Sequence, residues 1–436
     1  MTNGVHVPSW DSVFTDALWT RACGKGRWAG KVDSLRTQIE AIQDEALWTF
    51  RGESRTKLVS YIRQRIIEKL RLRRAPDDEQ ALVQNIFYPN TLTLGFARRF
   101  AEYKRLNLLL HDSDRLIRLL TNSRYPVQLV IAGKAHPADE EGQRLVQEMA
   151  NFVRRPEVRE HMVFLADYDM AMAEQFVQGV DVWINTPRRP WEACGTSGMK
   201  LLANGGLNLS ELDGWSAEAY TPEVGWALGD GQTHSEPAWD AVEADELYGL
   251  LEEQIIPEFY QRDERGIPSK WVARIRTSMA TLAPEFSSNR MLRDYVENYY
   301  IPASTNYQQR IDNHAALAKE LANSQKQLAQ HWTAIYMQNL RVESSESGHQ
   351  LSLQVYLDEL SVELVKVEVY ADSQDNNKPF YQIMEHKADL SGAINGYIYE
   401  TTVPADSPAD HYTPRLLADY RHANIPAEEA HIKWYR

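Results

Sequence analysis

The sequence predicts an α/β protein: a doubly wound parallel sheet over residues 1–300, a linking helix at 301–340 and a β-sandwich-like extension at 341–436. Three observations carry this. Short apolar runs bounded by turn residues alternate with helix-period segments through the first 300 residues, the rhythm of βαβ units. A stretch rich in Ala, Gln, Leu and Lys, without Gly or Pro, then runs from Asn306 to about Asn339. From Leu351 onward the apolar period falls to two.

Residues 35–85 read as mostly helical, and Arg63, Arg65, Arg71, Arg73 and Arg74 suit a solvated helix face. Thr91–Ala97, Val127–Gly133, Met162–Ala166 and Val180–Asn185 are short and apolar and read as buried parallel strands, separated by helical segments such as Glu140–Arg154 and Met170–Gln178. In such sheets ligands bind beyond the carboxyl ends of the strands. Arg98, Arg99, Gly133, Lys134, Tyr168 and the segment 192–200 all follow strand ends on this reading, so the topology gathers them at one crevice. The 306–339 stretch is expected as one continuous helix. Leu351, Leu353, Val355 and Leu357, and then Val365, Val367 and Val369, alternate with mostly polar residues, and further strands are expected near 381–384, 397–402, 415–418 and 431–435.

The chain has 436 residues, 43% of them hydrophobic, enough for two or three domains with cores. Its net charge of −14 argues against a nucleic-acid partner, which asks for a basic face. Cys23 and Cys194 are its only cysteines, so a reducing cytoplasm is the expected compartment. No apolar run has membrane-spanning length, and the first residues lack the pattern of a signal peptide. His6, His136, His386, His411 and His422 have no ligand spacing and no G-x-S-x-G turn occurs, so neither a metal nor a serine nucleophile is expected.

The chemistry concentrates in Glu192-Ala193-Cys194-Gly195-Thr196-Ser197-Gly198-Met199-Lys200. Small residues between a strand and a helical turn let backbone N–H groups converge on an anion. A lysine packed into such a turn and partly desolvated becomes an amine nucleophile able to form a Schiff base with an aldehyde cofactor, which points to pyridoxal phosphate. Taken alone, the string suits a solvated surface lysine better. The rest of the chain decides between the two.

The segment resembles the E-A-x-G-T-x-x-M-K string of the α-glucan (glycogen, starch, maltodextrin) phosphorylases, with Lys200 on the cofactor lysine. Thr2-Asn3-Gly4 with Trp10 is similar to that family's T-N-G segment, and Arg98 to Arg105 to its basic E-Y-K-R motif. Tyr168 precedes Lys200 by the 32 residues at which the family places a tyrosine near the cofactor. The resemblance implies the Rossmann-like C-terminal half of a two-domain GT-B-type glycosyltransferase. Its reaction would be reversible phosphorolysis of terminal α-1,4-glucosyl units to glucose 1-phosphate, with retention. It also implies roles. Lys200, Gly195, Thr196, Ser197, Arg98 and Tyr168 would bind pyridoxal 5'-phosphate. Arg99 and Lys104 would hold inorganic phosphate, and Glu192, Asn3, Cys194 and Gly195 would meet the sugar. Arg188 and Arg189, between a strand and the key turn, are added as candidates for the same pocket. Cys194, Ser197-Gly198 and Asp169 depart from the animal-type pattern.

Two other functions fit parts of the sequence. A nucleotide-sugar-dependent glycogen or starch synthase shares the architecture and a similar carboxylate-and-glycine turn, but has no use for an amine at Lys200. A non-catalytic glucan-binding fragment is the other. Phosphorylases of the family carry several hundred residues before the T-N-G segment, including a domain that closes the crevice. The expectation is therefore a chain that folds but turns over only with that N-terminal domain, and that forms a homodimer when complete.

Overall fold

The computed structural model describes residues 1–436 except Lys31, Ser235, Pro237 and residues 373–378, and the chain divides into two units, Met1–Val296 and Glu297–Arg436. In the first unit the apolar runs become parallel strands β1 (Leu92–Phe100), β2 (Val127–Ala135), β3 (Met162–Leu165), β4 (Val182–Asn185), β5 (Leu207–Glu211) and β6 (Gly225–Leu228), ordered β3-β2-β1-β4-β5-β6. The chain lays strands outward from β1 in one direction, then returns across it to build the other half. That reversal opens a crevice at the carboxyl ends of β1 and β4. Every residue of β4 and β5 is buried, as expected of a parallel sheet covered on both faces.

β1 and β2 run further than their apolar stretches. Arg98 and Arg99 lie within β1, paired with Gly133 and Lys134 of β2, instead of following the strands. Gly133 is required there, because a Cβ would collide with the Phe100 ring. β5 and β6 were not foreseen, since Asn208, Ser210 and Glu211 interrupt the apolar pattern although all three are buried.

Two buried ionic hubs hold this sheet, one at each edge. At the amino edge, the long helix Asp44–Leu72 sends Arg51 and Arg55 to Asp181, which immediately precedes β4. Arg51 also donates to the carbonyls of Gln178 (2.9 Å), Val180 (2.6 Å) and Asn204 (2.8 Å), while the second Asp181 oxygen accepts from the Thr93 N–H at 3.0 Å. Of the arginines expected on a solvated helix face, Arg65 and Arg71 on this helix and Arg73 and Arg74 just beyond it are exposed, but Arg63 is half-buried and donates to the carbonyls of Ile86 and Phe87.

At the carboxyl edge the hub is Arg105, whose side chain is 2% exposed. It donates to the carbonyls of Thr186 (3.1 Å) and Pro187 (3.0 Å) and pairs with Glu211, Asp240 and Glu243. Arg188 adds a second cation on Asp240. Two guanidinium groups thus face three carboxylates. Burial, reinforced by the adjacent Glu243 and by Glu246, pushes the Glu211 carboxyl up to about 8 against the pull of Arg105.

In the second unit the helix Ile301–His331 is broken at Asp312–Ala315, where Asn313, His314 and Ala315 adopt left-handed dihedrals. The expected 301–340 helix is therefore corrected twice: it is interrupted, and it ends before strand β7 (Tyr336–Ser345). Asp312 offers its carboxylate to the Asn313 N–H, the local bond with which Asp and Asn compete against helix. The remaining strands are β8 (Gly348–Tyr356), β9 (Val365–Ala371), β10 (Phe380–Ile383), β11 (Glu385–Asp389), β12 (Gly396–Val403), β13 (Thr413–Ala418) and β14 (Ile432–Trp434). They form two antiparallel sheets, β11-β12-β8-β7 and β10-β9-β13-β14. Leu351, Leu353 and Val355 of one sheet and Val367, Val369 and Leu416 of the other share a core with Leu321 and Leu328 of the helix. No helix among the described residues is long and apolar enough to cross a membrane.

Both hubs make measurable predictions. Asp181→Asn leaves Arg51 and Arg55 buried without a counter-ion and should cost about 3–5 kcal/mol in urea unfolding, the range for breaking a buried ion pair. A loss under about 1 kcal/mol would show that the carbonyl ligands suffice. For Glu211 the folded carboxyl keeps a proton that the unfolded chain releases from its ordinary value of 4.5. Stability should therefore fall as pH rises from about 4.5 to about 8 and level off beyond. Glu211→Gln should flatten that slope in thermal melts taken across the range.

Candidate functional site

At the carboxyl ends of β1 and β4, one carboxylate collects two cations. Arg98 donates from Nη2 to Glu192 Oε2 at 3.1 Å, and Lys104, in the turn Glu102–Lys104 just after β1, places Nζ 2.5 Å from the same oxygen. All three side chains are nearly buried. Glu192 is fixed from behind, because its N–H donates to Asp213 Oδ2 at 2.8 Å, just after β5. Gly214 is left-handed, with φ 57°, and turns the chain so that the Trp215 N–H reaches the Cys194 carbonyl.

Arg98 carries more hydrogen-bonding capacity than the protein uses. Its Nε and Nη1 are buried with no partner among the described residues. Burial pulls the guanidinium below its ordinary value, with Glu192 opposing. Tyr168, just beyond β3, is close enough for the two groups to act on each other: burial pushes its phenol up to about 12, and Arg98 pulls the other way. Arg99 is exposed and has no ion pair among the described residues.

Lys200 lies in the seven-residue helix Thr196–Leu202, which starts at left-handed Gly195, φ 87°. The buried neighbours Met199 and Leu201 anchor it. Its Nζ stands 3.9 Å from the centre of the Trp10 ring, without a hydrogen bond or ion pair among the described residues. Burial alone lowers its pKa. Asn204, fully buried, ties the two halves of this contact together by donating to the carbonyls of Trp10 (2.8 Å) and Lys200 (3.4 Å). Neither Trp10 as a wall nor Asn204 as a tie was singled out from sequence.

Small residues fill the space between lysine and carboxylate. Gly195 is 3.5 Å, measured from where its Cβ would be, from Glu192 Oε1, and Thr196 and Ser197 are half-buried beside it. Gly198 admits no side chain: a Cβ would lie 2.7 Å from both Asn208 Oδ1 and the Trp215 ring. Asn3 is exposed and close enough to Cys194 to pull the thiol's pKa down, against burial, which raises it. Its segment is anchored by the Val5 N–H on the Phe286 carbonyl and by the Ser288 N–H on the Val5 carbonyl. Arg188 and Arg189 are engaged elsewhere, Arg188 on Asp240 and Arg189 on the Leu212 carbonyl. The structure thus joins Arg98, Lys104 and Glu192 directly, sets Tyr168 beside Arg98 and Asn3 beside Cys194, and leaves Arg99 free.

A family model described as carbohydrate phosphorylase matches residues 25–226. A glycogen phosphorylase of Mycobacterium tuberculosis (strain CDC 1551 / Oshkosh) is 43% identical over 342 residues, 77% of this chain and 39% of that protein. A glycogen phosphorylase of Aquifex aeolicus is 40% identical over 69% of this chain and 43% of its own length. A maltodextrin phosphorylase of Thermococcus litoralis is 34% identical over 95% of this chain and 50% of its own length. The chain thus spans half or less of the length of these relatives. The stretch matched by the family model takes in β1 to β5, the Arg98–Glu192 cluster and Lys200, and over it the chain belongs to the α-glucan phosphorylase family.

Proposed function

We propose that this chain is the cofactor- and phosphate-binding part of an α-glucan phosphorylase, which moves a terminal α-1,4-linked glucosyl unit reversibly onto inorganic phosphate to give glucose 1-phosphate. The observation that carries the reading is Lys200, a partly desolvated amine with no counter-ion among the described residues, held over an indole in the same strand-end region as a cation cluster. Pyridoxal phosphate fits these residues. A lysine whose pKa burial lowers suits its aldehyde, and the two Arg98 nitrogens without a partner among the described residues suit its phosphate. On this reading residues 1–300 are the Rossmann-like half of a GT-B-type enzyme and 341–436 an accessory β domain. The complete enzyme acts as a cytoplasmic homodimer, its crevice closed by a further domain.

When bound, the cofactor supplies a second phosphate that exchanges a proton with the substrate phosphate. The chain's own residues do the rest. Arg98 and Tyr168, with the hydroxyls of Thr196 and Ser197 and the Gly195 N–H, hold the cofactor phosphate. Arg99 and Lys104 hold the substrate phosphate, since charge-assisted bonds to phosphate oxygens are the strong ones. Arg98, Arg99 and Lys104 against Glu192 leave two positive charges, which suits an arriving dianion. Glu192 Oε2 is already engaged by Arg98 and Lys104, so Oε1, which faces Gly195, is the oxygen that receives sugar hydroxyls. Asn3 and Cys194 border the same space. We assign Arg188 and Arg189 to holding the loop, because Asp240 and the Leu212 carbonyl already engage them. A nucleotide-sugar transferase would leave the Lys200 amine without a task.

Incubation with pyridoxal phosphate, borohydride reduction and peptide mapping should label Lys200. Lys200→Ala and Lys200→Arg should both lose the label, the second while keeping the charge; a label on another lysine defeats the assignment. Lys104→Ala or Arg99→Ala removes a charge-assisted contact, so phosphate affinity measured calorimetrically should drop by roughly one to two orders of magnitude. Maltodextrin affinity should hardly change. Equal losses for both ligands would point to collapse of the crevice instead.

A further inference from the structure

Arg105 completes the basic motif at 98–105, yet it does not serve the crevice as a ligand. Its side chain is 2% exposed, and Nε, Nη1 and Nη2 are all committed to protein oxygens: Thr186 O, Asp240, and Pro187 O with Glu211 and Glu243. Arg105 itself follows β1, and its partners come from the segment after β4, from the last residue of β5 and from the helix Trp239–Leu250, so three strand ends meet at this side chain. The same segments carry the chemistry of the crevice. Lys104 is the preceding residue; Glu192 follows the β4 segment; Asp213, which fixes the Glu192 N–H, follows Glu211. Further bonds close the seam: Thr186 Oγ1 donates to the carbonyls of Lys104 (3.1 Å) and Arg105 (3.3 Å), and the Arg188 N–H donates to the Tyr103 carbonyl at 2.6 Å.

We infer that Arg105 is a positioning residue for phosphate: by welding the three strand-end segments it sets the separation of Lys104 from Glu192, and so the fraction of the Lys104 charge that an incoming phosphate can use. The inference rests on the phosphate-binding reading of Lys104. Its physical basis is geometric. A forked guanidinium spans two carbonyls and three carboxylates at once, which the point charge of a lysine cannot do. Arg105→Lys keeps the charge among Glu211, Asp240 and Glu243 but releases at least one of the two carbonyls. Thr186→Val breaks the seam at the neighbouring bond and leaves Arg105 itself in place.

The test is calorimetric titration of inorganic phosphate into the full chain loaded with pyridoxal phosphate, alongside borohydride labelling at Lys200. Arg105→Lys should weaken phosphate by about tenfold, the scale of one hydrogen bond to a charged group, and Thr186→Val should weaken it several-fold, with labelling unchanged in both. Because the effect runs through Lys104, adding Arg105→Lys to Lys104→Ala should cause no further loss beyond about twofold. Additive losses in the double variant, unchanged phosphate affinity in the single variants, or equal loss of labelling would each overturn the inference. Should Arg105→Lys not fold, Thr186→Val alone and combined with Lys104→Ala decides it. A wild-type chain that binds no phosphate refutes the underlying reading, whereas normal wild-type binding with indifferent variants refutes only the role of Arg105.

Discussion

Asp181 receives two guanidinium groups from one helix and an N–H from the start of β1, and it does so with no exposure to water. Burying three charges is costly, and such a group is tolerable only because its members answer one another and the surrounding carbonyls. What the network secures is relative placement. It pins β1 beside β4 at the point where strand order reverses, and the long helix against the turn at Gly179, where a Cβ would strike Leu58. With the amino ends fixed, the carboxyl ends of the same two strands diverge by a defined amount. Arg98, Lys104 and Glu192 meet across that gap.

The two edges of the sheet use the same residue types to opposite ends. Arg51 and Arg105 commit both terminal nitrogens to protein oxygens and take no further part in chemistry. Arg98 commits one, and Lys200 commits none among the described residues. Unanswered hydrogen-bonding capacity in a buried group is a cost to the folded chain, and on the proposed reading a phosphate and an aldehyde answer it. Lys200 achieves the same without a carboxylate, since the indole of Trp10 gives an ammonium some attraction yet does not hold its proton as an acid partner would.

Much of this was legible from residue order. The apolar runs placed β1 to β4, and the crowding of Glu192, glycines and Lys200 marked the crevice before any geometry. What escaped was polar burial. β5 reads Leu-Asn-Leu-Ser-Glu, and its buried polar residues are answered by partners such as Asn185, which donates to Ser210 at 2.9 Å, a pairing that no periodicity announces. Arg51 and Arg55 look like surface residues of a basic helix until Asp181, well over a hundred residues on, arrives beside them. The break at Asp312–Ala315 and the early onset of β7 were hidden because residues 306–339 contain neither Gly nor Pro, and an Asp-Asn pair is only a weak helix breaker. Arg98 and Arg99 were expected beyond a strand end because charge was taken to end the strand; the crevice is where a strand can carry it.

The contact between Gly198 and Trp215 binds the history of these two positions together. With the Trp215 indole and Asn208 Oδ1 both 2.7 Å from the place of a Cβ, a side chain at 198 demands that both neighbours give way, whereas a smaller residue at 215 alone leaves a void beside a glycine that Asn208 still confines. Neither position can drift alone without passing through a destabilised intermediate. Gly198, Trp215 and Asn208 are therefore expected to change together or to stay as they are, so that this wall behaves as a single three-residue character.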